Sequence, residues 1–193
     1  SFMRLLILKL LFLLTSMEIR SQIKVEGLEI IEQTIKEYQG FNKVFYADSS
    51  LDQLRYSDLL KSLSKRKYSS TLENYQKGTI ILSKSELHYI KKQLKTSLLY
   101  KWPDSLFENS FRFPLDSLWA TLQRNQKLKR PATPKEIHRV WQFMKPIILR
   151  NNEVALIFHI NICGGECGNY EFSFYKKTYG IWKKWVQIKA GEF

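Results

Sequence analysis

The sequence predicts an α+β fold in which a helical N-terminal part packs on a C-terminal four-stranded antiparallel β-meander. Three observations carry this expectation. Apolar residues recur at helical spacing before residue 130, and strand-like alternation takes over after Pro134. The only linker-like stretch, Arg130-Pro131-Ala132-Thr133-Pro134, falls between the two patterns. Runs of helices followed by runs of strands are the mark of a segregated α+β domain.

The first element is set apart. Met3-Arg4 leads into the apolar run Leu5 to Leu14, and Thr15-Ser16 begins a polar exit. A positive start, an apolar run of about ten residues and a small or polar exit match a secretory signal. The run is shorter than the about 20 residues that cross a bilayer. The expected division is a signal segment over 1–22, with Ser1-Phe2 as an appended pair, and a single domain over 23–193. Within that domain, residues 23–130 form the helical part and 135–189 the meander. The competing reading makes residues 5–14 a buried helix retained in the fold; against the signal reading, Lys9 interrupts the apolar run and an A-x-A exit is missing.

From Val25 to Tyr38, Leu28, Ile31 and Ile35 lie on one helical stripe, with Gly40 placed to end it. Phe41 to Ala47 reads as a short strand. Ser50 to Lys65, with Leu51, Leu54, Leu59, Leu60 and Leu63, reads as a second helix, and Lys67 to Gly78 as polar turn. Ser83-Lys84-Ser85-Glu86 has the spacing of a capping box, in which Ser83 and Glu86 each satisfy the other's backbone N–H. Leu87, Ile90, Leu94 and Leu98 follow, so a helix is predicted over Lys84 to Tyr100. Trp102-Pro103-Asp104 stops it, and Pro114 opens a further helix reaching Asn125.

Beyond the linker, Ile137 to Leu149 alternates but contains Pro146, which fits an edge strand better than a helix. Arg150 to Glu153 is a turn. Val154 to Ile162 alternates, with Phe158, Ile160 and Ile162 on one face and His159 and Asn161 on the other. Tyr170, Phe172 and Phe174 share a face of the next strand, Tyr179-Gly180 turns, and Ile181 to Ile188 completes the meander.

Composition narrows the function classes. Thirty-one Lys and Arg against eighteen Asp and Glu give a net charge of +13 over 193 residues. Such a surface attracts nucleic acid, anionic envelope surfaces or acidic macromolecules, and also simply aids solubility. The positives are dispersed rather than gathered into a basic arm. Residues 129–189 hold eleven Lys or Arg against four Glu, so the sheet end is the expected anion-binding region. Lys176, Lys177, Lys183 and Lys184, interleaved with aromatics, are its candidate residues.

The most individual motif is Cys163-Gly164-Gly165-Glu166-Cys167-Gly168, at the tip of the hairpin between the second and third meander strands. Glycine permits the φ values that a tight loop needs. In an oxidising compartment Cys163 and Cys167 are expected to form a small-loop disulfide. A redox role competes poorly, because the spacing is not C-x-x-C, and metal binding lacks a second ligand pair. His88, His138 and His159 read as surface or satisfied histidines. His159 and Cys163 lie about 13 Å apart along a strand, which does not support a Cys–His nucleophile. No catalytic motif, cofactor motif or metal-ligand spacing is recognisable.

The C-terminal half resembles a group of small, uncharacterised exported proteins of Bacteroidota. The residues that carry the likeness are Phe143 to Asn152, the Cys163–Gly168 motif, Tyr175-Lys176-Lys177 and Trp182-Lys183-Lys184-Trp185. Leu82 to Phe107 is similar to their helical part. Glu166 departs from the usual Leu, and the ending after Ile188 also differs. The resemblance implies export and a shared hairpin, and it carries over no catalytic residue. The expected function is a periplasmic or secreted, non-enzymatic binding or envelope-associated module with a basic sheet face. The alternatives are a nucleic-acid or other polyanion-binding protein, and a thiol-based enzyme at Cys163/Cys167.

Overall fold

The computed structural model describes residues 26–39, 43–70, 78–117, 120, 139–162 and 168–192. The expected signal segment over 1–22, His138, residues 130–134 and residues 163–167 lie outside the described residues. So does most of the helix expected after Pro114, of which residues 115–117 and 120 are helical. Among the described residues no helix is long and apolar enough to cross a membrane.

Among the described residues the fold is α+β, with helices packed on a seven-stranded mixed sheet. In chain order the elements begin with α1 (Leu28–Gln39), β1 (Val44–Ala47), α2 (Gln53–Ser62), β2 (Lys67–Ser69), β3 (Thr79–Ile81) and α3 (Lys84–Ser97). They continue with β4 (Ser110–Phe113), β5 (Val140–Phe143), β6 (Ile147–Leu149), β7 (Val154–Ile162), β8 (Gly168–Thr178) and β9 (Ile181–Glu192). The main sheet runs β4-β1-β5-β7-β8-β9, with β6 pairing β7 beyond the end of β5, and β2–β3 is a separate hairpin.

The expected four-stranded meander is corrected in two respects. First, β1 and β4 from the helical part join the sheet, β1 lying parallel to both β4 and β5. Second, the strand expected over 137–149 is not an edge. It is two short strands, and β5 sits between β1 and β7 with all four residues buried. Pro146 falls in the gap between β5 and β6, where no ladder bond is asked of it. Within that gap the Met144 N–H donates to the Phe158 carbonyl and the Lys145 N–H to Ser50 Oγ. Lys67–Ser69 and Thr79–Ile81, expected as turn and as a helix lead-in, pair as the β2–β3 hairpin.

Helix α3 shows how local sequence sets a boundary. Ser83 Oγ accepts from the Glu86 N–H at 3.0 Å, and Glu86 Oε2 accepts from the Ser83 N–H at 2.7 Å. The same carboxylate accepts from Arg150 Nε at 2.7 Å, tying the helix start to the β6–β7 turn, where Arg150, Asn151 and Asn152 all take positive φ. Arg150 thereby holds the Glu86 carboxyl below its usual range. The exposed Lys91, Lys92 and Lys95 lie off the buried Ile90–Leu94 stripe.

Each face of the sheet carries its own cover. Helices α2 and α3 and the β2–β3 hairpin pack Leu59, Ile90, Leu94 and Ile80 on Leu156, Phe158, Phe172 and Phe174. On the other face, α1 lays Ile31 and Ile35 against Tyr46, Trp102, Trp141 and Phe143, and Ile30 against Ile157, Tyr175 and Trp182. Trp102, foreseen only as a helix stop, is fully buried, and its Nε1–H donates to the Phe143 carbonyl at 3.0 Å. A buried indole with a satisfied N–H is a strong anchor, and its loss to Ala costs about 3–5 kcal/mol.

Candidate functional site

Two groupings of chemically capable side chains stand out on this frame. The first follows from strand alternation on the α1 face of β7, β8 and β9. Ala155 and Ile157 point toward α1, and further along the strand His159 and Asn161 take the same side. Across the ladder, Tyr175, Ser173, Glu171 and Asn169 stand opposite these four in order.

Glu171, Ser173 and Tyr175 of this row are partnered, whereas Asn161 Oδ1 and Asn169 Oδ1 are buried with no hydrogen-bond partner among the described residues. Glu171 Oε2 accepts from Lys184 Nζ at 2.6 Å, and Glu171 Oε1 accepts from Ser173 Oγ at 2.5 Å. The two charged side chains are only 6% and 17% exposed, so their charges face one another through little water. Thr34 Oγ1 donates to the Ile30 carbonyl at 2.8 Å, which leaves the Tyr175 hydroxyl as donor to Thr34 across 3.3 Å. Burial and the nearby Glu171 charge push the Tyr175 hydroxyl well above its ordinary pKa. His159 is 1% exposed and packs against the Trp141 ring, with centroids 5.6 Å apart. Burial, and secondarily the Lys184 ammonium, lower its pKa to about 3.

These environments decide what the row can do. His159 stays neutral throughout the physiological range, far from the pKa that suits proton transfer near pH 7. Both oxygens of Glu171 are occupied by fixed donors. The arrangement is a buried polar lattice spanning β7, β8, β9 and α1, of the kind that fixes register more than it adds net stability. Among the described residues no three His, Cys, Asp or Glu gather as a metal site.

The second grouping is the β8–β9 hairpin end. Thr178 and Ile181 close a two-residue loop in which Tyr179 and Gly180 both take positive φ, 51° and 78°. That is the type I′ geometry matching strand twist. Behind the tip, Lys177 pairs across the ladder with Trp182, and Lys176 with Lys183. Lys176 Nζ lies 5.2 Å from the centroid of the Trp185 ring, and Lys177 Nζ lies 5.1 Å from that of Trp182. Such cation–π seats hold ammonium groups in place without neutralising them.

The four lysines expected to form one anion-binding face are thus divided by the pleat. Lys176 and Lys183 stand on the α2–α3 face and are exposed, while Lys177 stands on the other face, half-buried. Lys184 turns inward to Glu171 and belongs to the buried lattice. His88 is exposed on α3, while His159 is buried. The polar row itself was missed at the level of sequence. Its signal was present in His159, Asn161, Glu171 and Ser173 alternating against aromatics, but that pattern reads as a solvent face until the folded chain shows those side chains buried.

Comparison with protein-family models, with curated proteins and with solved structures returns no match to this chain.

Proposed function

We propose that this protein is an exported, non-enzymatic binding module that engages an anionic partner through the β8–β9 end of its sheet. The observation that carries the reading is the clustering of Lys176, Lys177 and Lys183 within three rungs of one turn. None of the three is in an ion pair among the described residues. Between Lys176 and Lys189 the chain has no carboxylate side chain. In this reading the C-terminal strands are the binding unit, and the helical part is the scaffold that stiffens them.

Nucleic acid is the less favoured anion. Lys176 and Lys177 lie over the rings of Trp185 and Trp182, the surfaces on which bases would stack. Export rests on the signal-like run of residues 5–14 and on the likeness to exported Bacteroidota proteins, and it makes Cys163–Cys167 a disulfide. A thiol-based enzyme at that pair predicts free, reactive thiols instead. Mass spectrometry of the secreted protein, with and without reduction, separates these cases. An intact residue 1–22 segment counts against export, and free thiols count against the disulfide.

The binding reading is tested on a heparin column. Lys176→Gln/Lys177→Gln/Lys183→Gln should elute at clearly lower salt than the parent chain. Lys91→Gln/Lys92→Gln/Lys95→Gln, three exposed charges on α3, should elute almost unchanged. Equal losses in the two triple variants would show diffuse attraction and refute a dedicated site.

A further inference from the structure

We infer that the β8–β9 tip docks on an anionic lipid surface, an inference that rests on the anion-binding reading of the same lysines and names their partner. A soluble polyanion accounts for the lysines but not for the residues in front of them. Tyr179 is 99% exposed and Ile181 58% exposed, so neither is buried in the core of this chain. A methyl placed on the intervening Gly180 would meet nothing within 4 Å, so the tip stands clear of the described molecule.

Tyr179 is the sharper clue. It occupies the first position of a type I′ turn at φ 51°, where Asn, Asp or Gly sits most comfortably. A side chain there that strains the backbone and packs on nothing has no folding role. Non-glycine residues held in sparsely populated backbone regions cluster at functional sites. Tyrosine is also a side chain that settles at a membrane–water boundary, with its ring among lipid and its hydroxyl in water.

The ladder sets the depth. From the Thr178–Ile181 rung, Lys177–Trp182 is one step back and Lys176–Lys183 two, about 3.4 Å each. A tip immersed in the interface therefore carries its ammonium groups about 7 Å behind, within the about 5–10 Å that separates buried side chains from the headgroup plane. The ammonium groups of Lys176 and Lys177 sit over the Trp185 and Trp182 rings, which hold them in place and leave their charge unneutralised for lipid phosphates. Two carboxylates stand near this end. Glu29 accepts from Trp182 Nε1 at 3.0 Å, and Glu153, on the β6–β7 turn, gives its backbone carbonyl to the Lys177 N–H at 2.8 Å. They leave the cluster cationic, three lysines to two carboxylates, which suits an anionic headgroup layer over a zwitterionic one.

The test uses the full chain with phosphatidylcholine vesicles, with and without 30 mol% phosphatidylglycerol, read by cosedimentation and by amide hydrogen exchange. The parent chain should partition more strongly to the anionic vesicles, with exchange slowed over residues 178–182. Tyr179→Asn/Ile181→Thr keeps a favourable I′ turn and a β-branched strand residue. It should weaken partition to anionic vesicles by about tenfold, leave heparin elution unchanged, and melt no lower than the parent. Lys176→Gln/Lys183→Gln should weaken partition by about thirtyfold, about fivefold per lysine, and should lower heparin elution as well. Partition of the Tyr179/Ile181 variant equal to the parent's, or unchanged exchange at 178–182 on vesicles, overturns the lipid assignment while heparin retention keeps the anion-binding reading intact. Lysine variants that match the parent on both heparin and vesicles overturn both.

Discussion

Replacing His159 should remove a pH dependence of stability that the fold builds in. In the unfolded chain this imidazole takes a proton near pH 6.5, whereas in the folded chain it resists until about pH 3. Between those values the unfolded state binds more protons, so stability falls as pH falls and is unaffected well above pH 7. The loss approaches about 1.4 kcal/mol per pH unit, or about 2 kcal/mol at pH 5 relative to pH 8. Urea melts from pH 8 to pH 5 on the parent chain and on His159→Gln isolate it, because Gln fills a similar volume without titrating. Carboxylates enter lower on the scale and cancel in the comparison. Glu86, held down by Arg150, contributes stability above pH 4.5 that is lost as pH drops through its folded value. Glu32, raised by burial and by Glu29, has the opposite sign: the folded chain takes its proton first, so acidification there favours folding. The expected result is a parent midpoint that declines from pH 7 to pH 5 and a flatter variant. Equal slopes in the two proteins would refute a buried, neutral His159.

Two further perturbations probe the same sheet. Glu171→Leu strands the Lys184 ammonium in a nearly dry site and should cost about 3–5 kcal/mol, while adding Lys184→Met should restore most of it; a double variant as unstable as the single one would sink the ion-pair account. Gly78→Ala places a methyl 1.9 Å from Trp185 Nε1, a rigid ring that must move, and should cost about 1–3 kcal/mol with a shift in Trp fluorescence. An unchanged urea midpoint would mean that the backbone at Gly78, just before β3, does not press on Trp185 of β9.

What could be read from the chain divides along a physical line. Helix α3 was foreseen to its first residue because Ser83 and Glu86 make their capping bonds within one turn. Strand β7 was bounded correctly at Val154 and Ile162, and β8 and β9 were placed with ends too short by a few residues. All of these are local patterns. The failures involve partners distant in sequence. Nothing around Ser110–Phe113 announces a strand, and β4 exists because β1 offers it a parallel edge. Pro146 argued for an edge strand, yet the chain solves the missing N–H by breaking into β5 and β6 and keeping β5 central. The lysines near the hairpin tip were found from composition, but composition cannot see the pleat that sends Lys184 inward to Glu171. Tyr179 was seen only as half of a turn, since exposure and φ are properties of the folded chain.

The parallel seam between β1 and β5 also sets a timetable for folding. β1 is made early in the chain, but its inner edge is completed only by Val140 and Trp141, 95 positions beyond their partners Phe45 and Tyr46. Segments β7, β8 and β9 follow one another and can pair as neighbours. The N-terminal strands must wait with an open backbone edge until the last third of the chain arrives. A polypeptide delivered N-terminus first therefore spends its emergence holding Val44–Ala47 as an unfilled template, the state in which edge-to-edge association is most tempting. The strand order of this sheet thus leaves the inner edge of β1 open to mispairing until Val140 and Trp141 arrive.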